Sequence, residues 1–92
     1  MNYIEEVRDI LSKKINVNNN LLNLYTLLVF TKGKNVTLKD VHDAWAIDKN
    51  RTFPEHYSII PFEKLSFEVQ QKDLHYANAI KETTIQIQSK GR

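Results

Sequence analysis

Cysteine is absent from the 92 residues, which excludes a disulfide framework and any thiolate metal site. Glycine and proline are scarce, two of each, so few positions force a helix to stop. No apolar run exceeds the length of Leu27 to Phe30. A membrane-spanning helix needs roughly 20 such residues. The opening MNYIEEVRD is acidic and amphipathic, unlike the basic-then-apolar pattern of a signal peptide. Location in the cytoplasm is therefore expected. Excess charge of one sign is also missing: the net charge is +2 and the lysines are scattered. Dedicated nucleic-acid binders concentrate cations on one face, so nucleic acid is disfavoured as the partner. A helix-turn-helix reading of residues 21–49 fails for a related reason. Asp40 and Asp43 near the start of its second helix would repel phosphates.

Catalytic patterns are missing as well. There is no Gly-rich phosphate loop, no GxSxG and no HExxH. His42, His56 and His75 match no metal-ligand spacing, and no nucleophile carries a motif around it. The chain is expected to be no enzyme and to need no metal or cofactor.

What remains is helical. An apolar content of 41% suits a globular domain rather than disorder. Tyr3, Ile4, Val7, Ile10, Leu11 and Ile15 recur at spacing 3–4 and predict an amphipathic helix over 2–15. Asn18, Asn19 and Asn20 then make a polar break. LLNLYTLLVFT at 21–31 is apolar on almost every side, the mark of a helix that is buried or shared between subunits. A buried strand is the competing reading, and the dominance of Leu over β-branched residues favours helix. Gly33 is the expected left-handed terminator of that helix. Thr37 and Asp40 form a Thr-x-x-Asp cap, flanked by Val36 and Val41 at the staple positions. The helix they start is expected to reach about Lys49, with Leu38, Val41, His42 and Trp45 on one face.

Residues 50–65 hold Pro54 and Pro61 with Phe53, Tyr57 and Phe62. Proline blocks the helix, and the aromatics predict an ordered loop packed on the body. Ser66 is the expected cap of the last helix, which carries Val69, Tyr76, Ala77 and Ile80 on one face. Asp73 is expected to tie the preceding loop by accepting backbone donors. The stretch TTIQIQ reads either as frayed helix or as a short strand, and 86–92 as a flexible tail. The fold class is therefore all-α: a small bundle of about four helices, with a long ordered loop between the last two. Residues 1–35 form an N-terminal helical hairpin and 36–85 the rest of one compact domain. Ninety-two residues give a thin core, so a homo-oligomer joined through 21–31 is also expected.

VHDAW, EHYSIIPFEKL and VQQKDLHYANAIKET, in that order, resemble the ryanodine-receptor-type (RyR) domain. The landmarks are His42, Trp45, His56, Ile59-Ile60-Pro61-Phe62, Leu65 and Asp73; residues 1–35 lie outside them. Where that family carries a Gly-Trp-containing insertion, this chain has AIDKNRTFPE, and Tyr57 stands in place of a Pro. The short form is similar to standalone domains of bacteria and their phages. The resemblance implies an adenine-nucleotide-like ligand held between aromatic residues, with weight on Trp45. For a phage protein it further implies an anti-defence role in the host cytoplasm, the sequestering of a nucleotide immune signal.

The residues themselves support an aromatic, anionic ligand. Trp and Tyr offer rigid faces on which a base stacks. Cations, Arg above all, hold phosphates. Trp45, Lys49, Arg51, His56 and Tyr57, with His42 beside them, interleave both kinds of group around one loop. These six are the expected ligand-binding residues. Each has a plainer reading: Trp45 as core, Arg51 bound to loop carbonyls, His56 and Tyr57 as loop fasteners. The leading expectation is non-enzymatic binding of a nucleotide-type molecule. The alternative is an interaction module that oligomerises through 21–31.

Overall fold

Side-chain caps set where the helices begin. Asn2 accepts from the Glu5 amide and starts α1, Tyr3–Ser12. Asn18 accepts from the Leu21 amide and starts α2, Asn19–Thr31. Thr37 and Asp40 close a reciprocal capping box at the head of α3, Leu38–Thr52. Thr37 Oγ1 accepts from the Asp40 amide at 3.1 Å, and Asp40 Oδ2 accepts from the Thr37 amide at 2.9 Å. Ser66 caps the short α4, Phe67–Gln71. The longest helix, α5, runs Leu74–Lys90. The computed structural model describes residues 1–90, and among them there is no strand. No helix is long and apolar enough to cross a membrane within the same residues.

The expected all-α bundle forms, with adjusted boundaries. The first helix ends at Ser12 rather than Ile15, yet Ile15 is still buried in the core. The third continues to Thr52, because nothing before Pro54 removes a backbone donor. The expected last helix is broken in two at Lys72 and Asp73. The region read as a flexible tail also differs. Helix α5 continues through 86–90, because Thr83 and Thr84 are buried and Ile87 packs on the core. Gly91 and Arg92, the end of that expected tail, lie outside the described residues.

The core joins α1, α2, α3 and α5. Val7 and Leu11 meet Leu21, Leu22, Tyr25 and Val29, and these meet Val41, Ala44, Ala77 and Ile80. Val36, at the staple position, is buried with Val41. Gly33 adopts φ +57, a left-handed conformation that side chains resist. A Cβ there would also come within 3.3 Å of Thr84 Cγ2. The turn thus packs directly against α5. On the other side of α2, Leu27 and Phe30 stay exposed, and Tyr3 from α1 meets Phe30 edge-on at 5.5 Å. The helix that is apolar all round therefore covers the core with one face and leaves the other open.

From residue 49 to residue 76 no side chain is fully buried. This stretch is fixed mainly by polar ties. His42 Nε2–H donates to the Ile60 carbonyl at 2.7 Å. Gln70 Nε2 donates to the carbonyls of Phe62 at 3.0 Å and Leu65 at 3.3 Å. The residues between α3 and α4 are consequently an ordered strap, as their aromatics predict.

Candidate functional site

Between this strap and the bundle lies a cavity of about 460 Å³. Tyr25, the most buried of its lining residues, comes from α2, and Tyr76 from α5 stacks on it at 5.5 Å. His42 and Trp45 come from α3, His56, Tyr57 and Ser58 from the strap, and Lys72 and Asp73 from the break between α4 and α5. The i, i+3 spacing of His42 and Trp45 lets their rings stack, with centroids 5.7 Å apart. Trp45 also meets the edge of His56 at 5.1 Å, and His56 stacks on Tyr57 at 4.8 Å. Tyr57 is 84% exposed and stands at the rim.

Hydrogen bonds fix both imidazoles. The Ile60 carbonyl only accepts, so His42 Nε2 must carry a proton. Nδ1 of His56 accepts from the Ser58 amide at 3.0 Å, so that nitrogen carries a lone pair. Ser58 meets His56 through its backbone, and no hydroxyl in the cavity is paired with a base.

Two lining groups have no partner of their own. The Tyr25 side chain is 1% exposed, yet its hydroxyl makes no hydrogen bond to the described residues. Burial, then the charge of Asp73, pushes its pKa up, so the phenol stays protonated. Asp73 was expected to tie the strap, but its carboxylate makes no hydrogen bond or ion pair with the described residues. Gln70 and His42 hold the strap instead. Their donors reach its carbonyls, which a carboxylate cannot bind.

Burial raises the Asp73 carboxyl above its ordinary 3.8, and the His42 imidazole partly offsets this. The other groups facing the cavity nearby are Tyr25 and Lys72. A carboxyl with a raised folded pKa binds its proton more readily in the fold than in the unfolded chain. Its contribution to stability is therefore greatest in acid and declines as pH rises from about 3.8 through the folded value. Asp73→Asn keeps the shape and removes the charge. It is expected to raise the melting temperature at pH 7, with the gain shrinking toward pH 4. A lower melting temperature at pH 7 would contradict this sign.

Of the six residues expected from sequence, His42, Trp45, His56 and Tyr57 line the cavity, and Lys49 and Arg51 do not. Arg51 Nη2 donates to Asp48 Oδ1 at 3.1 Å, within α3. Asp48 is buried and also accepts from Asn18 Nδ2 at 2.9 Å, which joins the end of α3 to the start of α2. The i, i+3 pairing of Asp48 with Arg51 was available in the sequence as a reason to read that arginine as structural. Sequence reasoning missed Tyr25, Tyr76 and Lys72 as lining residues. Tyr25 stands inside an apolar helix and reads as core, and Lys72 is one lysine among many.

A family model described as "Domain of unknown function (DUF7701)" matches residues 2–85. No curated protein and no solved structure matches the chain. The matched span overturns the resemblance to the ryanodine-receptor-type domain, because it takes in the first helical hairpin that the resemblance left out. The shared landmarks have local causes. His42 and Trp45 stack on one helix face, and Pro61 opens a short 3-10 turn at Phe62–Lys64.

Proposed function

Since the chain belongs to the DUF7701 family, we propose its function from the cavity alone: binding, without turnover, of a nucleotide-type small molecule. The observation that carries this reading is the ring of aromatic side chains, Tyr25, Trp45, Tyr57 and Tyr76 with two imidazoles, around a cavity of about 460 Å³. Aromatic faces suit a planar heterocycle, and stacking of one base is worth about 1–3 kcal/mol. Ligand pockets run from about 300 to 1,000 Å³, so this cavity has room for one mononucleotide. Lys72 is the cation that lines it, and it supplies a single point contact for a phosphate. Nε2 of His42 and Nδ1 of His56 serve the strap, and no nucleophilic hydroxyl among the described residues is paired with either ring, which is why binding is proposed rather than a reaction.

Titration calorimetry of the full chain with the four ribonucleoside monophosphates tests this. At least one is expected to bind, and Trp45→Ala is expected to weaken that binding about tenfold to a hundredfold. Arg51→Ala is expected to leave it unchanged, since Arg51 is held by Asp48 outside the lining. No heat with any nucleotide would end the reading. A second reading is self-association through the open face of α2, supported by exposed Leu27 and Phe30 with Tyr3 across from them. Light scattering on the same samples measures it.

A further inference from the structure

Asp73 occupies the residue before α5, the station from which a side chain caps a helix. Asn2, Asn18, Thr37 and Ser66 occupy the same station before the other four helices, and each accepts a backbone N–H there. Asp73 alone does not. Its backbone carbonyl accepts from Ala77, while its carboxylate lines the aromatic cavity without a partner among the described residues. Tyr25, nine-tenths buried and more, is the second group left unbonded in the same cavity. Asp73 is half-buried, so both groups open on the cavity and are free to bond a molecule that enters it.

Resting on the nucleotide reading above, we infer that the cavity selects guanine among the bases and that Asp73 is the specificity-determining residue. An ionised carboxylate accepts hydrogen bonds and donates none. Guanine presents two adjacent donors on one edge, N1–H and the N2 amino group, which two carboxylate oxygens engage together. Adenine presents one donor there, next to the N1 lone pair. Cytosine likewise pairs one amino donor with the N3 lone pair. Uracil offers a single N3–H between two carbonyl oxygens. Each of these three sets an acceptor against the carboxylate. The remaining polar edge of guanine, O6 and N7, only accepts. The Tyr25 hydroxyl supplies a donor for that edge from the same lining, which leaves Lys72 for the phosphate. Trp45 provides the stacking face.

Calorimetry with GMP, AMP, CMP, UMP and IMP tests the assignment on the wild-type chain and on Asp73→Asn. GMP is expected to bind at least about tenfold more tightly than AMP, the size of one good bidentate contact. IMP lacks the N2 amino group and is expected to fall several-fold below GMP, a comparison that needs no protein variant. In Asp73→Asn, with its helical circular dichroism retained, the GMP and AMP affinities are expected to converge. AMP binding as tightly as GMP, or IMP equal to GMP, overturns the guanine assignment while leaving nucleotide binding intact. Failure of every nucleotide to bind overturns both.

Discussion

Tyr25→Ala is expected to destabilise the fold by about 3–5 kcal/mol, the range for deleting a buried aromatic ring. Tyr25→Phe is expected to shift stability by less than about 1 kcal/mol, within the net worth of one hydrogen bond. The contrast follows from where the two parts of the side chain lie. The ring is fully buried among the residues of α1, α2, α3 and α5 and stacks on Tyr76. Its removal opens a void at the centre of a thin core. The hydroxyl, by contrast, has no protein partner to lose. Small domains have total stabilities of about 5 kcal/mol at the low end, so the alanine variant should be largely unfolded near physiological temperature. Urea titrations followed by Trp45 fluorescence and by circular dichroism measure both variants. A loss of 2 kcal/mol or more in Tyr25→Phe would mean that the hydroxyl is bonded inside the fold, and the case for an unspent donor in the cavity would go with it.

His42→Ala is expected to cost about 2–4 kcal/mol and to loosen one region selectively. The imidazole is buried, stacks on Trp45, leans on Phe62 and donates to Ile60. It is thus the main link between α3 and the strap. Hydrogen exchange of the strap amides supplies the sharper measurement. Those of Ile59, Lys64 and Leu65 donate to nearby turn carbonyls and should exchange faster in the variant. The amides of α1 and α2 should quicken only as far as the global loss of stability requires. Unchanged protection at Ile59 and Leu65 would show that the strap is held by something other than His42.

The helical frame was legible because its signals are local. Thr37, Asp40 and Val36 specify the start of α3 within a few residues, and Gly33 marks a left-handed turn by its lack of a side chain. The interruption at Lys72 and Asp73 was not legible. No proline or glycine stands there, and the break follows from how the strap docks, a long-range effect. The same distinction separates the site residues. His42, Trp45, His56 and Tyr57 sit close in sequence and share a loop, so their proximity in space could be read. Tyr25 and Tyr76 come from α2 and α5, and only the packing of those helices brings them together. Arg51 was read from its charge beside an aromatic loop; in the structure it pairs with Asp48 and stands outside the cavity lining.

The absence of any fully buried side chain from 49 to 76 has a consequence for how the molecule opens. Segments with few buried apolar contacts unfold locally at lower free energy than the core. One wall of the cavity therefore belongs to the last part of the protein to come apart, and the opposite wall to the first. A molecule seated between them would bind a firm surface and an order-seeking flap at once. Its affinity would then include the work of settling that flap, so residues far from any contact with it could tune how tightly it is kept.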